Sequence, residues 1–316
     1  MKIVIMDGHA LNPGDLSWDF LREFGTVTYY DRTIGEALTI ERIGDADIIL
    51  LNKTPITSAV LAACPNLKLI CILATGYNVV DCDAAARRGI PVCNVPGYGT
   101  DSVAQFTFAL LLELCCHVGL HSESVHAGEW TACPDFCYWK TPQMELAGKT
   151  MGIIGYGTIG RAVGKIAEAF GMRVLAYSRT HHDGTDYVDL DTLLSQSDIV
   201  SLHCPLFPET RHIINPETIS KMKDGAILLN TARGPLIDEA AVAAALRSGK
   251  LRGAAMDVAD SEPIPANSPL LTAPNCIITP HMAWAPIEAR QRILDITAES
   301  IRGFLAGKPL NVVNLR

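Results

Sequence analysis

The sequence predicts an α/β protein with two doubly wound domains, each built on a parallel sheet that helices cover on both faces. Ten short apolar runs rich in β-branched residues alternate with amphipathic stretches, a pattern typical of parallel strands buried on both sides. The chain has 316 residues, more than one ordinary core accommodates. The predicted strands lie within residues 2–7, 46–51, 67–74, 90–95, 150–155, 173–178, 198–203, 225–230, 253–258 and 276–281.

Helices are predicted between these strands, and several of them have readable ends. Asp238 is suited to cap a helix over residues 239–248, which Gly249 would close. Ile287–Leu305 is predicted as a long amphipathic helix that ends before Gly307. Strands that alternate with helices in this way favour the doubly wound arrangement.

Two features interrupt the alternation. A long apolar helix is predicted over residues 101–117 with no strand directly after it, and residues 119–148 form an irregular stretch with four aromatic side chains: Trp130, Phe136, Tyr138 and Trp139. We expect this arm to pack on a second subunit in a homodimer; an arm folded on its own subunit is the alternative. The predicted domains are residues 1–99 plus 283–316, and residues 100–282 including the arm.

Composition excludes several classes of protein. The formal net charge of −8 and the absence of a basic run argue against nucleic-acid or anionic-membrane binding. The N-terminus predicts a first strand rather than a signal peptide, and the longest apolar stretch near residues 106–114 is too short to span a bilayer. The ten cysteines are scattered without metal-ligand spacing, so we expect no metal and reduced thiols in a cytoplasmic protein.

The most informative motif lies in residues 150–178. An apolar strand ends at Ile154, glycines follow at Gly155, Gly157 and Gly160, and a helix then leads to a second strand. In such a turn the glycines allow a tight bend, close approach of a pyrophosphate and close packing of helix on strand. Free N–H groups at the helix N-terminus favour phosphate. The context predicts a dinucleotide site.

The end of the second strand bears on the choice of cofactor. Enzymes that use NAD usually carry an acid there, whereas this chain has Ser178, Arg179 and Thr180, with no acid before Asp183. A hydroxyl and a guanidinium suit a phosphate group, so we expect NADPH to be preferred over NADH. The alternative is that Arg179 stacks on adenine and both cofactors are used.

Three polar residues follow later strands in an order that suits hydride transfer to a 2-oxo acid. That reaction needs a cation for the carboxylate and carbonyl, an acid for the developing alkoxide, and a group that keeps the acid charged. Arg233, Glu262 and His281 each follow a predicted strand, and ligands bind at the carboxyl ends of strands in open α/β sheets.

With these residues the chain resembles the D-isomer-specific 2-hydroxyacid dehydrogenases over essentially its full length. The segments DGHALNPGDLSW, LATGYNVVD, YGTDSVAQFTFALLLEL and HMAW make it most similar to the branch of glycerate dehydrogenase and hydroxypyruvate reductase. The resemblance implies a Rossmann dinucleotide-binding domain inserted into a flavodoxin-like substrate domain. It also implies that Arg233 binds the substrate, that His281 donates the proton, and that Glu262 stabilises the imidazolium.

Further site residues come from the glycine loop, the end of the second strand and positions that match the family. Backbone N–H groups around Ala74, Thr75 and Gly76 are expected to bind the substrate carboxylate, together with Arg233 and His281. Asp257 is expected to meet the nicotinamide carboxamide. The cofactor-binding set is Thr100, Gly155, Tyr156, Gly157, Thr158, Ile159, Gly160, Ser178, Arg179, Thr180, His203, Cys204, Pro205, Thr210, Thr231, Ala232 and Asp257.

Two other functions share this fold. Formate dehydrogenases need no proton donor and usually carry glutamine in place of the glutamate, so Glu262 argues against that chemistry. A nicotinamide-binding sensor, like the related corepressors, retains the same three residues and therefore stays open. For an enzyme, Tyr77, Trp284 and Trp139 are candidates to line the pocket, and tyrosine with indole favours a small polar substrate, with hydroxypyruvate expected first and glyoxylate second. Packing of these aromatics in a core or interface is the alternative.

Overall fold

The computed structural model describes residues 1–315 and contains twelve strands and ten helices in that range. The strands are β1 Lys2–Ile5, β2 Thr26–Tyr29, β3 Ile48–Leu51, β4 Leu69–Ile72, β5 Val92–Cys93, β6 Thr150–Ile154, β7 Arg173–Tyr177, β8 Asp186–Tyr187, β9 Ile199–Leu202, β10 Ala226–Asn230, β11 Leu251–Met256 and β12 Cys276–Ile278. The helices are α1 Glu36–Ile43, α2 Ser58–Ala63, α3 Cys82–Arg87, α4 Thr100–Cys116, α5 Val118–His126, α6 Thr158–Ala169, α7 Leu190–Gln196, α8 Pro216–Lys221, α9 Glu239–Ser248 and α10 Ile287–Leu305.

The chain divides into two compact units. Unit 1 comprises Met1–Gly99 and the segment from Ala285 onward, and unit 2 comprises Thr100–Trp284. The chain returns to unit 1 at residue 285, two residues after the predicted boundary at 283.

Unit 1 contains a five-stranded parallel sheet in the order β2-β1-β3-β4-β5. All four residues of β3 and of β4 are buried, as their apolar sequences predict. The edge strand β2 has no buried residue, which explains why an apolar pattern did not reveal it. Arg290 on α10 is 8% exposed and forms a bidentate ion pair with Asp15, at 2.7 and 2.6 Å, which fixes the loop around residue 15.

Unit 2 contains a seven-stranded parallel sheet in the order β12-β11-β10-β9-β6-β7-β8. Strand β6 lies between β7 and β9, and its last residue, Ile154, is in register with Tyr177 and Leu202. The strand order therefore reverses at β6, and ligands bind at such a switch point, outside the carboxyl ends of the strands. The two parallel sheets with their helices confirm the predicted fold class.

The helix ends that the sequence indicated are present. The Asp238 side chain accepts from the backbone N–H of Ala241 at the start of α9, and Gly249 ends that helix in the left-handed conformation. Helix α10 covers Ile287–Leu305, and Gly307 follows it with φ of +71°.

The arm differs in part from its expected irregular form, because Val118–His126 is the helix α5. Only Ser124 of this helix is buried, so it carries no apolar stripe from which a helix could be predicted. Three aromatic residues of the arm are exposed: Trp130 (51%), Phe136 (89%) and Trp139 (69%). Within residues 1–315 no single helix is long and apolar enough to cross a membrane; α4 and α5, bent by 58°, meet that criterion only as a pair.

Candidate active site

The glycine loop lies between β6 and α6. Gly155 has φ of +95°, and a Cβ there would lie 2.3 Å from the backbone nitrogen of Cys204, so the turn requires glycine. A Cβ on Gly160 would lie 2.2 Å from the carbonyl oxygen of Gly155. Glycine at these two positions allows α6 to pass directly over the end of β6.

Gly157 is glycine for a different reason. Its φ of −79° is open to any residue, and a Cβ there would meet no protein atom within 4 Å. As the N-cap of the 12-residue helix α6, it offers no side chain to the N–H groups of the first turn, which begins at Thr158. Open space in front of uncapped donors fits the pyrophosphate of a dinucleotide.

The neighbouring side chains of the loop belong to the core of unit 2. Tyr156 is 5% exposed, and its ring lies edge-on to that of Tyr187 with 6.0 Å between centroids. Its hydroxyl would lie 2.5 Å from a Cβ on Gly164, so the ring is tightly held under α6. Ile159 packs on the same apolar cluster. The side chains of Tyr156 and Ile159 therefore belong to the core, and these residues would contact a cofactor only through their backbones.

The end of β7 places a hydroxyl and a guanidinium next to the glycine loop. Ser178 is half-buried, while Arg179 and Thr180 are exposed. The guanidinium carbon of Arg179 lies 4.9 Å from the ring centroid of Phe207, a cation–π contact that orients the side chain. These groups suit the phosphate of a phosphorylated ribose.

The end of β9 holds a neutral histidine. Nε2 of His203 lies 2.8 Å from the hydroxyl oxygen of Ser201, and burial lowers the pKa of His203 to about 3. The loop beyond is shaped by Thr210, whose hydroxyl donates to the carbonyl of Pro205 at 2.8 Å and accepts from the N–H of Phe207 at 2.7 Å. The ring of His203 therefore contributes no positive charge near neutral pH.

Arg233 follows β10 in a loop held by hydrogen bonds. The hydroxyls of Thr231 and Thr107 lie 3.0 Å apart, and the N–H of Ala232 donates to Oδ1 of Asn230 at 3.0 Å. The Arg233 side chain is exposed, and its Nη1 donates to the carbonyl of Ala232 at 2.7 Å. Among residues 1–315 it pairs with no carboxylate, so the guanidinium is available to an anion.

A contact that only glycine permits brings the Arg233 loop against the next loop. A Cβ on Gly234 would lie 1.9 Å from the carbonyl carbon and oxygen of Ala259, which follows β11. The N–H of Ala259 in turn donates to Oε1 of Glu262 at 3.2 Å. Arg233 and Glu262 are thus carried by loops in direct backbone contact.

Glu262 and His281 are in direct contact through their side chains. Nδ1 of His281 lies 2.7 Å from Oε2 of Glu262. A carboxylate beside Nδ1 favours the tautomer with its proton on that nitrogen, which leaves Nε2 as the ring nitrogen open to a ligand. Within the described chain Nε2 has no hydrogen-bond partner. His281 has φ of +52°, a left-handed conformation that is uncommon outside glycine.

Asp257, at the end of β11, holds the loop that carries His281. It is 1% exposed, and Oδ1 accepts from the hydroxyl of Thr279 at 2.6 Å and from the N–H of Met282 at 2.9 Å. Oδ2 accepts from the N–H of Ala283 at 2.8 Å. The carboxylate is therefore hydrogen-bonded to residues on both sides of His281. This positioning role was not predicted from the sequence.

In unit 1, the loop after β4 presents free backbone donors. The N–H groups of Ala74, Thr75 and Gly76 have no acceptor within residues 1–315, and Gly76 is half-buried. The loop is held from behind, since Val95 N–H donates to Ala74 O at 3.0 Å and Asn94 Nδ2 donates to Thr75 O at 2.8 Å. Three consecutive free donors fit a carboxylate.

Most of the predicted site residues of unit 2 lie at one edge of its sheet. The residues that follow strands at the carboxyl edge of this sheet are Gly155–Gly160, Ser178–Thr180, His203, Thr231–Arg233, Asp257 and His281. Thr100 begins α4 in the same unit. Among residues 1–315 no group of three or more His, Cys, Asp or Glu side chains could hold a metal ion.

Comparison with known proteins identifies the family. The model of the D-isomer specific 2-hydroxyacid dehydrogenase NAD-binding domain matches residues 108–283. The chain is 55% identical over 324 residues to hydroxypyruvate reductase from Blautia hydrogenotrophica, covering 99% of this chain and 100% of that protein. It is 41% identical over 314 residues to glycerate dehydrogenase from Methylorubrum extorquens, covering 99% and 98%.

Among solved structures, the chain is similar to the acyclic imino acid reductase Bsp5 in complex with NADPH and D-Arg. The TM-score is 0.87 and the identity 32%, with 99% of this chain and 100% of that chain covered. These findings confirm the resemblance to glycerate dehydrogenase and hydroxypyruvate reductase, and they do not favour a sensor or a formate dehydrogenase. The chain belongs to the D-isomer specific 2-hydroxyacid dehydrogenases and is an enzyme of that family.

Proposed function

We propose that this enzyme reduces hydroxypyruvate, and with lower preference glyoxylate, to the D-2-hydroxy acid, and that it prefers NADPH. The observation that carries the proposal is the contact of His281 with Glu262, in which Nδ1 lies 2.7 Å from Oε2. Nε2 of His281 has no hydrogen-bond partner within the described chain. The curated relative of highest identity reported above bears the name hydroxypyruvate reductase.

Each of these residues has its own role in the proposed reaction. A bound nicotinamide cofactor supplies the hydride that reduces C2 of the 2-oxo acid. Arg233, which has no carboxylate partner among residues 1–315, binds the substrate carboxylate and polarises the carbonyl. The carbonyl oxygen takes the proton from Nε2 of His281, and Glu262 stabilises the imidazolium before that transfer. The free N–H groups of residues 74–76 bind the carboxylate.

Initial rates with hydroxypyruvate, glyoxylate, pyruvate and a bulky 2-oxo acid test the proposed substrate preference. We expect kcat/KM to be highest for hydroxypyruvate. Replacement of Arg233 by Lys keeps the charge but removes the planar fork, so kcat/KM should fall at least about tenfold with every substrate. Higher kcat/KM with the bulky acid would contradict the proposed substrate class.

The cofactor preference rests on Ser178 and Arg179. A hydroxyl and a guanidinium follow β7, and the cation–π contact with Phe207 orients the guanidinium. We expect kcat/KM for NADPH to exceed that for NADH by at least about tenfold, since a hydrogen bond between charged groups contributes about 1.5–3 kcal/mol. Arg179→Gln should bring the two values together; equal values in the wild type would contradict the preference.

We also propose that the arm forms a homodimer interface. Trp130, Phe136 and Trp139 are all at least half exposed, and such a group of aromatic side chains is typical of an interface. Phe136→Ser combined with Trp139→Ser should shift the sedimentation profile from dimer to monomer at micromolar concentration. Leu271→Ser, which changes a 48%-exposed apolar residue outside the arm, is the matched control. A monomeric wild type would refute the interface.

We also propose that the protein is located in the cytoplasm, and the state of its cysteines supports this. All ten are free thiols, and Cys71 and Cys93 are buried neighbours on β4 and β5. Thiols in this state persist in a reducing compartment. Fractionation of the source cells with an antibody against the chain tests this location.

A further inference from the structure

A cavity of about 430 Å³ lies at the amino edge of the unit 2 sheet. Four charged residues of its lining precede or begin strands: Lys149 comes directly before β6, Asp198 directly before β9, Lys223 shortly before β10, and Arg252 is the second residue of β11. The candidate active-site residues of this unit follow strands at the carboxyl edge. The cavity is therefore separate from that site, at the opposite edge of the same sheet.

Two cations of the cavity lack an acidic partner. Lys149 and Arg252 are half-buried, and neither side chain forms an ion pair with a carboxylate among residues 1–315. Nη2 of Arg252 donates to the carbonyl of Pro142, which leaves the other N–H groups of the guanidinium available. Partial burial removes water from both charges, so a counter-charge in the cavity would be favourable.

Most of the acids in the lining are already neutralised. Asp198 accepts from Nζ of Lys223 at 3.1 Å, and Asp224 pairs with Nζ of Lys250 at 2.7 Å. Glu145 is exposed and has no ion pair in the described part of the chain. Two unpaired cations therefore line the cavity together with one unpaired carboxylate, a balance that favours an anionic ligand.

The strand order sets the two unpaired cations apart. Strands β9 and β10 lie between β6 and β11, so the backbones that carry Lys149 and Arg252 are three strand spacings, or about 14 Å, apart. The ion pair of Lys223 with Asp198 belongs to the two strands between them. A ligand that supplies a counter-charge to each cation at its own end of the cavity is therefore elongated.

We propose that this cavity binds a small, elongated molecule with an anionic group at each end, an α,ω-dicarboxylate or a bisphosphate. Arg252 binds one anionic group through its planar fork, and Lys149 binds the other as a point charge. Glu145 opposes binding through its negative charge. The site shares no residue with the proposed substrate and cofactor sites, so it does not depend on the proposed function.

The experiment is isothermal titration with adipate, fructose 1,6-bisphosphate and malonate, a short dicarboxylate. It uses the Arg233→Gln background at saturating NADPH, because the substitution removes the guanidinium expected to bind a substrate carboxylate and the cofactor occupies the glycine loop. We expect adipate or the bisphosphate to bind at least about fivefold more tightly than malonate. Whichever of the two binds more tightly identifies the anionic group as carboxylate or phosphate.

Substitutions in the cavity should change this affinity in opposite directions. Lys149→Gln and Arg252→Gln should each weaken binding of the tighter ligand about tenfold, since each removes a charged partner. Glu145→Gln should strengthen it about twofold, because it removes the opposing charge. Arg252→Lys keeps the charge and should lose less affinity than Arg252→Gln, which separates the charge from the contact with Pro142.

Lys308→Gln is the matched control, since it removes an exposed cation from unit 1 and should change the affinity by less than about twofold. An equal loss in Lys308→Gln would show general charge attraction and overturn the proposal. Unchanged binding in both Lys149→Gln and Arg252→Gln, or binding of malonate as tight as that of both longer ligands, would also overturn it.

Discussion

Replacement of Asp257 by Asn tests whether a buried carboxylate positions the proton donor. The carboxylate accepts three hydrogen bonds from residues 279–283, which lie on both sides of His281. An amide offers one acceptor oxygen, so it can retain the two bonds at Oδ1. Its NH₂ group then faces the N–H of Ala283, where two donors oppose each other.

The magnitude follows from the bond that is lost. A hydrogen bond to a charged group contributes about 1.5–3 kcal/mol, and a buried donor left unsatisfied costs about 1–3 kcal/mol. Because these contributions overlap, Asp257→Asn should lower the free energy of unfolding by about 2–4 kcal/mol. A displacement of His281 by about 1 Å should lower kcat up to about a hundredfold.

Urea denaturation and steady-state rates measure the two effects separately. Asp189→Ala is the control, because Asp189 caps α7 through the N–H of Thr192 at 2.8 Å, and its loss should cost about 1 kcal/mol without lowering kcat. Wild-type stability and kcat in Asp257→Asn would refute the positioning role. An equal loss of NADPH affinity and kcat would instead favour the expected contact of Asp257 with the nicotinamide.

Three further predictions concern single residues. His281→Ala should lower kcat at least about a thousandfold while the Kd for NADPH measured by fluorescence stays within about twofold; equal losses would contradict proton donation. Gly157→Ala should leave the melting temperature unchanged yet weaken NADPH binding at least about tenfold, whereas Gly160→Ala should lower both the melting temperature and the affinity for NADPH. Unchanged NADPH binding in Gly157→Ala would refute the close approach of a phosphate to Gly157. The lowered pKa of His203 means that the unfolded chain, but not the folded chain, binds an extra proton below about pH 6.5. The wild type should therefore lose about 1 kcal/mol more stability than His203→Gln between pH 7.5 and 5.5, and equal losses would contradict a neutral His203 ring.

The sheets could be predicted from the sequence because their central strands are buried on both faces. Strand β10, with the sequence AILLN, is buried at all five positions, and its apolar run is visible without any neighbour. Strands β2 and β8 were missed for the same physical reason. Their residues are exposed or half-buried at the sheet edges, so their conformation depends on backbone pairing with β1 and β7 rather than on an apolar pattern.

The site could be predicted in part, and the division has a physical cause. The glycine loop carries its signal within about ten residues, since Gly155 and Gly160 meet each other and the end of one strand. The three hydrogen bonds of Asp257 join residues 22 to 26 positions apart, and the choice of partners depends on the register of β11 with β12. Contacts between residues so far apart in the chain leave no local pattern.

The order of the unit 2 sheet explains why Arg233, Glu262 and His281 nevertheless stood out along the chain. Strands β10, β11 and β12 are consecutive in sequence and adjacent in the sheet, and each is followed by one of the three residues. Sequence order and spatial order therefore coincide in this half of the sheet. The glycine loop follows β6, and Ser178 and Arg179 follow β7, in the other half of the sheet. His203 after β9 and Thr231 after β10 lie between the two halves, where they would contact a cofactor bound along this edge. Because His203 is neutral near neutral pH, it would add no positive charge there, and Arg233 would supply the cation for an anionic substrate.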